Sequence, residues 1–263
     1  VAGVALATVI SQALAALLVC ITLMKEPDAT HLDLHKLRID RAMALEIIRI
    51  GVPAGLQGMA FSLSNVVVQS SINSFDSSVI VAGNSASNNI ENFVYIGMSA
   101  FTQACITFTS QNVGAQNLKR VKSIFNHSMV LTTLSAMLMG FLVWFFGESL
   151  LAFYTSDPAV VEAGMLRLFW VSMFLFLNGI LDVFVSSLRG MGYSSLPTIV
   201  MLVGICGVRL LWLLLIFPMH RTLTTIYLCF PLSWTVTSIV LGFIWLYCYR
   251  HMLRTNGQQA QNA

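Results

Sequence analysis

The stretch V-A-G-V-A-L-A-T-V-I-S-Q-A-L-A-A-L-L-V-C-I-T-L-M-K (Val1–Lys25) is apolar throughout and carries no charge before Lys25. A helix needs roughly 20 apolar residues to cross the hydrocarbon core of a bilayer, so this run reads as a membrane span. It makes a poor signal peptide, because it has no basic leader, its apolar part is too long and no small-residue cleavage site follows. Comparable runs follow at Val52–Ser71, Val81–Ser110, Ile124–Phe146, Val161–Leu188, Pro197–Phe217 and Thr225–Tyr249. The sequence therefore predicts an all-α membrane protein, a polytopic bundle of seven transmembrane helices. An odd number of spans that opens mid-helix predicts a chain that has lost its front.

Composition agrees. Hydrophobic residues make up 57% of the 263 and charged residues only 10%, with a mean hydropathy of +0.79. Soluble domains carry about a quarter charged residues, so lipid has to serve as solvent for this surface. Cys20, Cys105, Cys206, Cys229 and Cys248 all lie within apolar runs and none has CxxC spacing. They read as small packing residues rather than as a zinc site or redox pair. The thirteen Met residues suit an adaptable apolar wall and ordinary packing equally well.

The placement of charge gives orientation. Lys25, Lys36, Arg38, Arg41 and Arg49 fall in the Lys25–Gly51 connection, and Lys119, Arg120 and Lys122 follow the third span. Arg189 follows the fifth span, and Arg250 and Arg254 follow the seventh. The connections between hold no Lys or Arg apart from Arg221. Under the positive-inside rule the basic connections and the C-terminus are cytoplasmic, and the first span runs inward. The expected setting is a bacterial inner or plasma membrane. Nothing in this charge pattern calls for nucleic acid as a partner.

Leu34, Leu37 and Arg38, then Met43, Ile47 and Ile48, recur at helical spacing, predicting an interfacial amphipathic helix within residues 25–50. His31 and His35 share an i,i+4 spacing, but no third ligand lies near them, so a solvated loop is expected and no metal site. The tail Thr255–Ala263 reads as a disordered end.

Spans that only anchor a protein are apolar on every face, and several of these are not. Ser62, Asn65, Gln69 and Asn73 follow one another at steps of three or four. Asn84, Asn88, Glu91, Asn92, Tyr95 and Thr102 form a similar series in the third span, as do Asn178, Asp182 and Ser186 in the fifth. Such steps put the residues of each series on one helix face. Polar side chains facing lipid are costly, so the stripes should face the bundle interior, as interhelical hydrogen bonds or as the wall of a wet cavity. Asp182 is the deepest acidic group, placed to exchange a proton or bind Na⁺, with a structural carboxylate as the alternative. Glu91 lies nearer the outer end and should be largely hydrated. Arg209 should pair with a carboxylate of a neighbouring helix in a structural role. Arg167 should snorkel to the outer interface. Trp144, Trp170, Trp212, Trp234 and Trp245 read as interfacial or packing residues, any of which can stack on an aromatic cation.

Three phrases are more specific. Ile50-Gly51-Val52-Pro53-Ala54-Gly55-Leu56-Gln57 opens the second span, with Pro53 expected in a first helical turn. Ser110-Gln111-Asn112-Val113-Gly114-Ala115 closes the third with a glycine-containing turn, and Leu188-Arg189-Gly190-Met191-Gly192 leads to Pro197 between the fifth and sixth. These closely resemble the second lobe of the multidrug and toxic compound extrusion (MATE) family. There G-[IVL]-P…Q begins the seventh helix, Q-N-x-G-A ends the eighth, and L-R-G-x-G…P links the tenth and eleventh. Gly207-Val208-Arg209 is similar to that family's eleventh-helix pattern. The resemblance covers essentially the whole chain. It implies structural roles for Pro53, Gln57, Gln111, Gly114, Arg189, Gly190 and Arg209, in twelve helices forming two lobes with both termini cytoplasmic. It also implies export of amphipathic, often cationic, organic compounds in exchange for Na⁺ or H⁺ by alternating access.

On this resemblance residues 1–24 are the last helix of a truncated first lobe and 25–50 the inter-lobe loop. Residues 51–250 are a complete six-helix lobe and 251–263 a cytoplasmic tail. The expected partners are small organic substrates, the lipid bilayer and the missing N-terminal lobe. The expected cavity residues for ion or substrate are Asp182, Glu91, Asn178, Asn65, Gln69, Asn88, Asn92, Tyr95 and Ser186, with no cofactor beyond the coupling ion and Na⁺ possible near Asp182.

Two departures leave that ion open. In the Na⁺-coupled norfloxacin-exporter branch an acidic residue stands eleven places before the Arg of L-R-G, where this chain has Asn178. The same branch has a Glu in its seventh helix, but Val52–Ser71 is free of acids. A related flippase of lipid-linked sugars is the alternative reading, for which a more basic cavity would be expected. A seven-helix receptor or retinal protein is disfavoured, since Thr225–Tyr249 has no Lys and the Asp-Arg-Tyr and Asn-Pro-x-x-Tyr motifs are missing. No H-E-x-x-H motif or matched acid pair points to an intramembrane enzyme.

Overall fold

The computed structural model describes residues 2–25, 38 and 40–261. Among them there is no strand, only helix and short turns. The helices are α1 (Ala2–Lys25), α2 (Arg41–Asn73), α3 (Ser78–Gly114), α4 (Leu118–Phe145), α5 (Gly147–Ala152) and α6 (Pro158–Arg167). They continue as α7 (Leu175–Gly190), α8 (Ser195–Met201), α9 (Val208–Leu215) and α10 (Leu223–Gln261). Two π-helical turns interrupt otherwise continuous rods, Leu168–Ser172 between α6 and α7 and Leu202–Gly207 between α8 and α9.

The chain divides into two compact units, Val1–Arg49 and Ile50–Ala263. In the first, α1 exposes Leu6, Leu14, Leu17 and Leu18, as suits a helix solvated by lipid. Asp40 caps the start of α2 by accepting from the backbone N–H of Ala42 (2.8 Å) and Met43 (3.1 Å). α2 therefore begins about ten residues before the expected span. Met43, Ile47 and Ile48 belong to its first turns and do not form a separate interfacial helix. Leu34, Leu37, His31 and His35 lie outside the described residues. Pro53 is not in a first turn but well inside α2. A proline there removes one backbone hydrogen bond, which membrane helices tolerate.

The second unit has its core on α7 and α10, where Leu181, Leu188, Ile226, Tyr227, Cys229 and Leu241 are fully enclosed. Close helix contact depends on missing side chains. A Cβ on Gly83 would meet the carbonyl oxygen of Val160 at 2.7 Å, and one on Gly190 would meet Thr109 Cβ at 2.7 Å. Small residues thus bring α3 against both α6 and α7. Ser87 Oγ completes the α3–α6 contact by donating to the carbonyl of Gly164 at 2.9 Å.

Five helical stretches are long and apolar enough to cross a membrane: Ala5–Lys25, Leu118–Phe145, Pro158–Gly190, Ser195–Leu215 and Leu223–Arg254. The other two expected spans lie in α2 and α3, which are long helices but are not among these five. The count of seven is thus not reached by apolarity alone. At the other end α10 continues to Gln261, where a disordered tail was expected. Ala and Gln are good helix formers, and no proline follows Tyr249 to stop the helix.

Candidate functional site

The polar stripes converge. Within the second unit they line a cavity of about 620 Å³, walled by α2, α3, the α6–α7 rod, the α8–α9 rod and α10. Of the expected residues, Asn65, Gln69, Asn88, Glu91, Asn92, Tyr95, Asn178 and Asp182 all face it. So do Gln57, Arg189 and Arg209, which had been assigned structural roles only. Ser186 is not part of the lining.

Glu91 and Arg167 are the clearest corrections. Glu91 was expected to be hydrated and Arg167 to snorkel outward, yet they are 7% and 5% exposed. Arg167 grips both carboxylate oxygens of Glu91, with Nε to Oε1 at 3.0 Å and Nη2 to Oε2 at 2.7 Å. Two further donors reach Asn84 Oδ1 and, at 3.0 Å, Asn88 Oδ1. The i, i+4 and i+7 spacing of Asn84, Asn88 and Glu91 aims three acceptors at one guanidinium, and a bidentate carboxylate is the partner an Arg fork fits best. The π-helical turn begins directly after Arg167.

The network continues into α2, as Asn84 Nδ2 donates to Gln69 Oε1 at 2.9 Å and Gln69 Nε2 to Asn73 Oδ1 at 2.9 Å. Further down α2, Arg189 donates to Gln57 Oε1 and Arg209 Nη1 to Asn65 Oδ1 at 3.4 Å. α2 is thus held to the unit along its stripe by long polar side chains, with Val68 and Ile72 buried between them.

Asp182 is partly buried on the cavity wall and accepts from Asn178 Nδ2 at 3.2 Å, one turn back on α7. Tyr95 of α3 and Arg189 of α7 are its electrostatic neighbours. Arg209 was expected to find a carboxylate. Instead it is 3% exposed, donates through Nε to Ser233 Oγ at 3.2 Å, and lies over the ring of Phe230 at 4.3 Å. Trp234 and Phe230 complete an aromatic side of the cavity that the sequence did not single out.

The phrase residues resolve as local geometry. Gly114 ends α3 in helical conformation, and the left-handed residue of that turn is Gln116 (φ 56°). The carbonyl of Gln111 accepts from the backbone N–H of Ala115 at 3.0 Å. Gly192 takes φ 91° after Gly190 has made its close contact. Among the described residues no group of three metal-ligating side chains occurs.

An all-helical membrane bundle with a charged, amide-rich cavity is the build of a membrane carrier. The MatE family model matches residues 53–214, more than half of the chain, and the chain belongs to that family, whose members are transporters and not enzymes. It is 26% identical over 165 residues to the probable multidrug resistance protein NorM of Thermotoga maritima, covering 63% of this chain and 35% of that protein. It is 25% identical over 199 residues to the multidrug export protein MepA of Staphylococcus aureus, covering 76% of this chain and 44% of MepA. An outward-facing structure of a multidrug resistance MATE family transporter superposes with a TM-score of 0.82 at 15% identity, over 95% of this chain and 56% of that one. The chain thus spans less than half the length of these curated relatives.

Proposed function

We propose that this chain supplies one lobe of a secondary active exporter of amphipathic organic compounds, working by alternating access and driven by Na⁺ or H⁺ antiport. The observation that carries the reading is the cavity of about 620 Å³ inside a membrane bundle, a size that suits a drug-like molecule. The multidrug export activity named for its relatives supports the same reading. A preceding lobe would supply the opposite wall, with α1 as its last helix and residues 25–50 as the linker. In this proposal Asp182 handles the coupling ion, since among the described residues it is the one cavity carboxylate without a bidentate cation.

The test is efflux of ethidium and rhodamine 110 by cells expressing the full-length transporter, under imposed Na⁺ and pH gradients. Asp182→Asn should reduce efflux about ten-fold or more while leaving expression intact, because a neutral amide cannot exchange the driving charge. Efflux unchanged at several pH and Na⁺ values would sink the role of Asp182. The gradient that drives wild-type efflux would identify the coupling ion.

A further inference from the structure

The charged groups of the cavity do not balance. Among the described residues three guanidiniums line it, those of Arg167, Arg189 and Arg209, against two carboxylates, Glu91 and Asp182. Arg167 has its charge paired by Glu91 and further hydrogen bonds to two asparagines. Asp182 and Arg189 share one face of α7 and act on each other electrostatically without coming to ion-pair distance, whereas among the described residues no carboxylate acts on Arg209. Arg209 is left over. It is 3% exposed and has no carboxylate at ion-pair distance among the described residues. Its only hydrogen-bond partners there are the neutral oxygens of Ser233 and Asn65. A guanidinium has five N–H donors, and burying one without an anion is strongly unfavourable.

The fold nonetheless holds this cation firmly. It follows the π-helical turn Leu202–Gly207, which offsets the rod just before it. The face of Phe230 lies 4.3 Å below its carbon centre and Trp234 stands 6.0 Å away. Both rings come from α10 on either side of Pro231, a helix-interior proline that removes one backbone bond at the cavity wall. The result is a planar cation with open donors beside two aromatic rings.

We propose that Arg209, Phe230 and Trp234 form a subsite for the carboxylate of an aromatic amphiphile, so that the exporter favours acid-bearing or zwitterionic substrates over simple organic cations. The carboxylate would take the open donors of the Arg209 fork as a two-pronged ion pair, and the adjoining ring would pack against Trp234. This rests on the cavity being the substrate site and narrows its substrate class, away from the cations that the family resemblance implies.

Rhodamine 110 and its methyl ester rhodamine 123 test the proposal, because they share one fluorophore and differ only in the free carboxylate. Binding to the purified full-length transporter in detergent is read by fluorescence anisotropy. The wild type should bind rhodamine 110 about ten-fold or more tightly than rhodamine 123. Benzoate should displace rhodamine 110, whereas benzamide should not. Arg209→Gln should abolish the preference, and Arg209→Lys should keep part of it, with the charge but not the fork. Equal binding of the two dyes by the wild type, or displacement by benzoate and benzamide alike, overturns the subsite without reliance on any variant. Asn88→Trp, which fills the cavity, should lose both dyes. If it loses neither, the cavity is not the binding site and the proposed function fails with the subsite. If it loses both while the wild type shows no preference, only the subsite fails.

Discussion

Glu91 and Arg167 show what a membrane interior demands of an ion pair. Each is enclosed, and each carries a charge that could not remain there alone. Removing one partner of such a pair costs about 3–5 kcal/mol, because the other is left buried and uncompensated. Glu91→Ala should therefore destabilise the protein by about that amount, measured by unfolding in mixed detergent micelles. The double variant Glu91→Leu/Arg167→Met should recover much of the loss, since an apolar pair of similar volume avoids the desolvation of both ions. A single variant as stable as wild type would mean that the pair is not held as described. Position in the sequence misled for both residues. They stand near the ends of apolar runs, where hydration or snorkelling is the usual outcome, and 76 residues separate the partners. The one legible signal was the spacing of Asn84, Asn88 and Glu91, which marks a face built to receive a cation.

At the scale of elements, the polar stripe of α2 does the joining that apolar packing does elsewhere. Gln57, Asn65 and Gln69 each bond to a different partner on another helix. α3 is fixed differently, by backbone contact at glycines. Gly83→Ala should push α3 from the Val160 carbonyl and cost about 1–3 kcal/mol by overpacking. The same shift should loosen the Glu91–Arg167 pair one to two turns away, so Gly83→Ala and Glu91→Ala should combine less than additively in the same unfolding measurement. Strict additivity would show that the two features are independent. The helices themselves were legible from apolar run length, whereas the two π-helical turns were not. Leu168–Ser172 does not depart from an ordinary apolar run, and Leu202–Gly207 is set apart only by Gly204 and Gly207; the turns lie beside Arg167 and Arg209 in the chain.

For the molecule as a whole, the alternation of basic and base-free connections makes a topological prediction. The Lys25–Gly51 connection, the Lys119–Lys122 segment and the C-terminus should all lie on the cytoplasmic side. Single cysteines placed at Lys36, Lys119 and Arg254 in a variant lacking the native cysteines should resist a membrane-impermeant thiol reagent in intact cells. A cysteine at Asp157 should react. Labelling of Lys36 and Asp157 from the same side would overturn the assignment and, with it, the crossing proposed for the polar helices α2 and α3.

The sequence by itself determined that this is a helical membrane protein with polar faces inside its spans, because run length, charge scarcity and helical spacing are local properties of the chain. Its three phrases were enough to name the family. Tertiary structure alone decided which polar faces meet, that Arg167 and Glu91 bury each other, and that Arg209 has no carboxylate among the described residues. Those outcomes depend on approaches between helices far apart in sequence, set by where glycines permit backbone contact and where π-helical turns offset a rod. No local pattern of residues encodes such distances.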